Sequence, residues 1–503
     1  MSAEKSIIII GGGIAGLSAG CYARMNGYKT TIFEMHNIPG GLCTSWTRKG
    51  YTFNGCIHRL VGTRERSAFY KLWNEVGALG AQQVVYFDEF VRFEASNGEV
   101  IILYSDADRL EDHLKQVAPE DSGIIGEFCD AIRKASKHEM PVEVAPEVMG
   151  LAGTVKMLRQ VKPFMPLMKR WASVSMMEVS RELKNPALAE MFSEAFAGEM
   201  PVFFFITALA WLNNGVAGYP VGGSLLFART IEKRFQDLGG EIAYRSKVKK
   251  ILTENDKAVG VVLADGTEHR ADFVISAADG HSTIYKMLEG RYISRKIKGI
   301  YEEEKLQLSK PIMFVSLGIN HDFKDIPRAI YHSTPFKPSL ELGSDKVDRM
   351  DIRYYNFDAT LAPQGKTSII AFFNTNFEYW LELKNNDPEK YKKEKERVAD
   401  AVVAELERRH PGISRKVEVR DVATPYTFLR YTDNWLGTFI GWQVTSSTYR
   451  IRIPKSLPGL GNFLMCGQWV SVGGGLPVGV MTGRHVIQIL CKKDKREFVT
   501  TFR

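Results

Sequence analysis

The chain has 503 residues, 45% hydrophobic and 25% charged, the balance of a globular protein, which excludes disorder, collagen and coiled coil as its dominant state. Lys and Arg total 66 against 58 Asp and Glu, a net +8 that is small for this length; it permits contact with an anionic membrane surface and does not argue for nucleic acid. The six cysteines form no C-x-x-C pair and no Cys/His cluster of zinc spacing, so reduced, buried thiols in a cytoplasmic protein without a metal site are expected.

Residues 6–10, with their isoleucine run, have the pattern of a fully buried parallel strand and lead straight into glycines, unlike a signal peptide. Gly11-Gly12-Gly13-Ile14-Ala15-Gly16 then fit G-x-G-x-x-G. A helix is predicted over 14–26, stopped by Gly27, and a second strand over 30–33, ending at Glu34. Each part has a chemical reason: Gly11 makes the strand-to-helix turn, Gly13 lets backbone approach a pyrophosphate, and Gly16 lets the helix pack on the strands. The helix N-terminus, from Ile14 and Ala15, offers free N–H groups to phosphate. Glu34, about twenty residues on, can accept from both ribose hydroxyls and would repel a 2′-phosphate. The fingerprint alone does not separate NAD from FAD.

A second glycine pair, Gly40-Gly41, followed by Leu42, brings further close-approaching backbone to the same dinucleotide. Next come Asn54, Cys56 and His58 in the block 50–58, and a helix predicted over 67–79 with Phe69, Leu72, Trp73, Val76 and Leu79 on one face. Segment 148–171 mixes Met149, Leu151, Met157, Leu158, Phe164, Met165, Leu167, Met168 and Trp171 with Lys156, Arg159, Lys162, Lys169 and Arg170, and holds no acid. That composition suits an interfacial segment broken at Pro163 and Pro166, and predicts peripheral contact with an anionic membrane. The apolar run 200–212 is short of the ~20 residues needed to span a bilayer.

Ser224 is the expected N-cap of a helix that ends at Gly239-Gly240. Strands are predicted over 242–251, 258–264 and 271–277, with Asp265-Gly266 as a hairpin turn. A helix with Asp387 as N-cap and Pro388 at N1 runs to Arg409 and stops at His410-Pro411-Gly412. Finally, a strand over 462–466 leads through Gly467, Gln468, Gly474, Gly475 and Leu476 into a helix over 478–491, with Pro477 at N1. Backbone amides there, up to Val478, can lie close to a planar ring, and the positive helix end can stabilise negative charge on it.

The array GGGIAGLSAG, then FEMHNIPGGLCTSW, then GYTFNGCIHRLVG, resembles the FAD-dependent phytoene desaturase, carotenoid isomerase and retinol saturase superfamily, relatives of the flavin amine oxidases. Block 425–437 is similar to a family block near the flavin and substrate tunnel. Asn54 stands where the family usually has Asp, Cys56 where it has Gly, and Gln468 where amine oxidases carry an acid. The resemblance implies an α/β fold with a Rossmann-like, glutathione reductase-type FAD-binding domain (1–70, 218–292 and 455–503) and a discontinuous α+β substrate domain (71–217 and 293–454). It also implies that Val248 lies against the adenine.

The activity implied is hydride transfer between a C–H of a long apolar, isoprenoid-like molecule and flavin N5, as desaturase, saturase or isomerase. Direction and electron acceptor stay open. His58 is the first candidate proton donor or acceptor, because retinol saturase-like sequences have a matching Ile-His; Arg430 and Tyr431 rank below it. Two alternatives share the glycine motifs: a flavin amine oxidase, and a lipid-binding escort or GDP-dissociation-inhibitor-like protein. The latter needs no FAD, against which Glu34 and the 473–475 glycines argue.

Overall fold

In the computed structural model, which describes residues 4–80, 82–194 and 198–501, the isoleucine run forms the strand Ser6–Ile10. It is the middle of a five-stranded sheet in the order Glu241–Ala243, Lys29–Phe33, Ser6–Ile10, Phe273–Ser276, Phe463–Met465, with every pairing parallel. Ile7 and Ile9 enter one hydrophobic cluster and Ile8 and Ile10 another. Burial on both faces is why the run is continuous and not alternating.

The helix Ile14–Met25 follows and ends before Gly27, whose φ is 73°. The C-terminal helix Leu476–Lys493 lies along it. A Cβ at Gly483 would stand 2.7 Å from Ala15 O and 2.9 Å from Ala19 N, so glycine sets the spacing of the two helices. Their N-termini therefore finish side by side at the carboxyl ends of the strands, the usual ligand crevice of such sheets.

Several predicted elements need correction. Ser224 is not an N-cap: the helix is Gly223–Asp237, capped by Gly222 at φ 98°. Ser224 is instead fully buried, its hydroxyl accepting from Ile57 N at 2.7 Å and bonding Asn54 Oδ1. The strand predicted over 242–251 is two strands. Glu241–Ala243 joins the parallel sheet, whereas Val248–Glu254 opens a separate antiparallel sheet with Lys257–Leu263 and Glu268–Arg270; Arg245, at φ 57°, sits at the break. The helix predicted over 67–79 is Ala68–Glu75, with Ser67 as its N-cap accepting from Phe69 N. Pro477 is the second, not the first, residue of its helix, which begins at Leu476.

A seven-stranded sheet forms the other half, in the order Val417–Ala423, Ile312–Ile319, Thr367–Asn374, Asp345–Tyr354, Ala329–Leu342, Glu89–Glu94, Val100–Tyr104. Pro388–Arg409 covers part of it, with Asp387 accepting from Lys390 N at 2.9 Å and Val398, Val402 and Leu406 buried. The hairpin of Ser45–Arg48 with Tyr51–Asn54 bridges the two halves. The Tyr51 ring rests on Gly318, and its hydroxyl donates to Glu418 Oε2 at 2.7 Å.

The apolar run near residue 200 is the helix Val202–Asn213, with Phe205 packed 5.8 Å from Phe128. Segment 148–171 breaks at its prolines into Leu151–Val161, a 3-10 turn Lys162–Phe164, and Met165–Trp171. Phe164, Leu167 and Trp171 are core, not surface. No helix among the described residues is long and apolar enough to cross a membrane.

Candidate functional site

The crevice is an open cleft with about 1220 Å³ of empty space, part of it continuous with solvent. Its walls gather residues from the whole length of the chain. Gly11, Gly13, Ile14 and Ala15 come from the first turn and helix; Glu34 from the end of the second strand; Gly40, Gly41 and Leu42 from the next loop; Val248 from the antiparallel sheet; and Gly467, Gln468, Gly475 and Leu476 from the C-terminus. Gly16, Gly474 and Val478 stand behind this surface rather than on it. Gly16 backs onto Gly11 and Ala277, and Gly474 onto Ile440 and Gln468.

The loops are fixed by backbone bonds. Gly11 N donates to Phe33 O at 2.8 Å, and Gly40 N to Gly12 O at 2.9 Å. Glu34 is buried, with Oε2 accepting from Gly12 N at 2.6 Å and Oε1 from His36 N at 2.7 Å. Burial raises its carboxyl above the ordinary value, and the backbone donors of His36 and Gly12 oppose that shift. Ser246 N bonds Glu34 O at 2.9 Å, which holds Val248 beside the acid.

Neither the helix Ile14–Met25 nor Leu476–Lys493 has a side-chain cap, so the N–H groups of two helix N-termini open into one cleft. A Cβ at Gly13 would meet nothing nearer than Gly40 O at 3.8 Å, and one at Gly475 nothing nearer than Pro477 Cδ at 3.9 Å. The floor is thus bare backbone, free for close approach by a ligand. A ribose acceptor, two anion-accepting helix ends and this glycine floor fit FAD. Bound there, Glu34 would hold the adenosine ribose and the first helix the pyrophosphate, leaving the C-terminal helix end for the flavin.

The three candidate catalytic residues are not together. Tyr431 lines the cleft, 42% exposed, with its ring 4.9 Å from His36. Arg430, beside it in the helix Pro425–Thr432, points to solvent. His58 is not in the cleft wall. Its Nδ1 is 3.3 Å from Cys56 O and its Nε2 3.2 Å from Arg59 Nη1. Burial, then the charges of Arg353 and Arg59, hold it well below the usual histidine value, so it is neutral.

The departures from the family pattern have structural consequences. Asn54 is completely buried and uses its whole amide. Nδ2 donates to Ile57 O at 2.6 Å and Tyr355 Oη at 3.3 Å, while Oδ1 accepts from Ser224 N at 3.0 Å and from the Ser224 hydroxyl. An aspartate could not donate to Ile57 O. Cys56 lines the cleft with Cys43.

Sequence reasoning missed Asp279 and Ser246, both in the cleft wall, and placed Asn434, also there, only within the block 425–437. Asp279 accepts from Ser282 N at 2.6 Å and Trp435 N at 2.9 Å, tying the block 425–437 to the parallel sheet. Burial pushes its carboxyl up to about 7. The available signal was its place just past the strand Phe273–Ser276, at the carboxyl edge of a parallel sheet.

Residues 9–76 match the model of an NAD(P)-binding Rossmann-like domain. A chloroplastic prolycopene isomerase of Daucus carota is 26% identical over 460 residues, covering 87% of this chain and 72% of its own. A neurosporene-forming phytoene desaturase of Rhodobacter capsulatus is 26% identical over 529 residues, covering 97% and 94%. The solved cyclohexylamine oxidase of Brevibacterium oxydans shares the fold at TM-score 0.60 and 12% identity, covering 98% of this chain and all of that one. The chain is an FAD-dependent oxidoreductase, a homologue of the superfamily of phytoene desaturases and carotenoid isomerases, on a fold shared with the flavin amine oxidases.

Proposed function

We propose that this enzyme carries out desaturation, saturation or isomerisation at C–C and C=C bonds of a long apolar, isoprenoid-like molecule. The observation that carries this is the apolar stretch of the cleft wall made by Leu42, Cys56, Phe439, Ile440 and Leu476. The carotenoid enzymes among its homologues support the same substrate class. A flavin supplies two-electron chemistry by taking or giving hydride. The side chains of that wall exclude water and hold a hydrocarbon by contact, and the free N–H groups of the helix Leu476–Lys493 compensate negative charge arising beside them. Cofactor binding falls to 1–70, 218–292 and 455–503, and substrate binding to 71–217 and 293–454. The small sheet of Leu60–Val61, Ala217–Pro220 and Val84–Val85 lies on the line between them.

Anaerobic titration with polyenes, sterols and amines, followed by the flavin spectrum, tests this. A polyene is expected to perturb or bleach the flavin band. Rapid bleaching by a small amine with no response to any polyene would replace this function with amine oxidation.

The same reading includes a bilayer contact through Leu151–Val161, a helix without a single buried side chain. Leu151, Val155 and Leu158, at 90%, 49% and 58% exposure, share one face, and Met165 adds 60%. Lys156, Arg159, Lys162 and Lys169 flank them without an ion pair among the described residues, whereas Arg170 is taken by Glu127 at 2.8 Å. Four basic groups at ~1 kcal/mol each give reversible binding to an anionic surface. Co-sedimentation with phosphatidylserine vesicles at low salt should be lost with Leu151→Glu/Leu158→Glu and reduced by salt. Wild-type protein remaining in the supernatant would disprove the contact.

A further inference from the structure

Behind Cys56 the seven-stranded sheet presents a box of aromatic rings that encloses two cations. Arg353, on Asp345–Tyr354, lies with its guanidinium 4.4 Å from the Phe372 ring centre and 5.1 Å from that of Tyr331. Arg59 lies 4.7 Å from the Phe90 ring centre. Tyr331 joins the two halves, with its ring 5.9 Å from Phe90, 5.7 Å from Phe372 and 5.0 Å from His58.

Arg353 is only 7% exposed, yet its Nε and Nη1 have no hydrogen-bond partner among the described residues, and Arg59 Nε has none there either. Arg59 feels the charge of Arg353, and both interact with the Tyr331 hydroxyl, Arg353 also with that of Tyr355. Asp351 is within electrostatic reach of Arg353 but forms no ion pair with it among the described residues; nearby Arg349, by contrast, pairs with Glu190 at 2.5 Å.

Rings stacked on a guanidinium satisfy its face but not the donors along its edge. A buried cation with empty edge donors is costly, and a fold keeps one where an anion arrives to fill them. A carboxylate accepts two such donors in parallel, which is the geometry arginine provides and lysine does not. His58 serves this arrangement: its Nε2, 3.2 Å from Arg59 Nη1, accepts from that guanidinium, and its Nδ1–H turns to Cys56 O. The box adjoins the cofactor cleft, since Cys56 lines that cleft and feels the charge of Arg353.

We propose that Arg353 and Arg59 receive the carboxylate of the substrate, which is therefore a long apolar acid and not a neutral hydrocarbon. Its tail lies along the Leu42, Phe439 and Leu476 wall; this rests on the apolar-substrate function above. His58 is a positioning residue for Arg59 and not a proton donor.

The test is calorimetric titration of the flavin-loaded protein with all-trans-retinoate, all-trans-retinol and benzoate. Wild type is expected to prefer retinoate over retinol by about 100-fold. Arg353→Gln should abolish the preference by weakening retinoate binding, and Arg353→Lys should restore only part of it. Equal binding of the two retinoids, or a preference that survives Arg353→Gln, overturns the anion site and leaves the apolar function standing. Arg353-dependent benzoate binding without retinoid binding keeps the anion site and overturns the apolar function. No binding of any probe overturns both. An Arg353→Gln protein that fails to fold, or one that shifts the flavin midpoint potential with retinoate preference intact, assigns the cations another role and overturns the proposal.

Discussion

Gly16→Val is expected to give a colourless protein that melts roughly 10 °C below wild type. A Cβ at Gly16 would collide with the carbonyl oxygen of Gly11 and stand 3.2 Å from the Cβ of Ala277. Neither neighbour can swing away. Gly11 is pinned at φ 97°, with its N–H on Phe33 O at 2.8 Å, and Ala277 N bonds Ile10 O at 2.9 Å. Overpacking a core costs about 1–3 kcal/mol, and more where backbone must move. Each kcal/mol lowers the melting temperature by about 2–4 °C in a domain of 150–250 residues. The lost flavin follows from the same displacement, because Gly11 and Gly13 must move with the helix. Gly123→Ala is the control: it lies in Ser122–Ser136 with nothing within 4 Å of its Cβ, and alanine there favours the helix. A yellow Gly16→Val protein melting with wild type would mean that helix and strands are not packed through this glycine.

What was legible in the sequence shares one property: it is local in the chain. The strand, glycines, helix and acid of 6–34 are each specified within a few residues, and Asp387-Pro388 marks its helix start in the same way. Ser224 shows where local reasoning stops. A serine before an apolar stripe is a sound N-cap signal, but Gly222 at φ 98° starts the helix earlier, and the hydroxyl is claimed by Asn54 from far along the chain. The split of 242–251 has the same cause. Alternation continues through both strands, and nothing in it records that Glu241–Ala243 pairs with Lys29–Phe33 while Val248 turns to another sheet.

Arg353 was invisible for a stronger reason. A single arginine in a strand reads as exposed, and its burial depends on Tyr331, Phe372 and Arg59, brought in by three other segments. His58 was noticed for its residue type, but its chemistry is set by Arg59 Nη1 and Cys56 O. Of segment 148–171, composition gave the mixture of charge and apolar groups. Only packing separates Phe164, Leu167 and Trp171, which are buried, from Leu151 and Leu158, which face solvent.

Glu34→Ala should weaken FAD binding about ten- to a hundred-fold, since a hydrogen bond to a charged group is worth about 1.5–3 kcal/mol. Charge and shape can be separated by pH. Glu34 is 5% exposed, and burial raises its carboxyl above the ordinary range despite the donors at Gly12 N and His36 N. A carboxyl raised in the folded state contributes stability that is complete below the unfolded value and is lost as pH rises through the folded one. In the flavin-free protein the ionised form is therefore the strained form, and it is the form that ribose hydroxyls, which donate, would favour. FAD binding should release a proton, and affinity should climb as pH rises through the raised value and level off above it. Glu34→Gln keeps the size and one acceptor but cannot ionise, so its affinity should lie near that of Glu34→Ala and lose this pH dependence. Flavin fluorescence quenching on reconstitution of the deflavinated protein measures all three. A wild-type affinity as flat with pH as that of Glu34→Gln would remove Glu34 from the ribose and leave it a brace for the Gly12 loop.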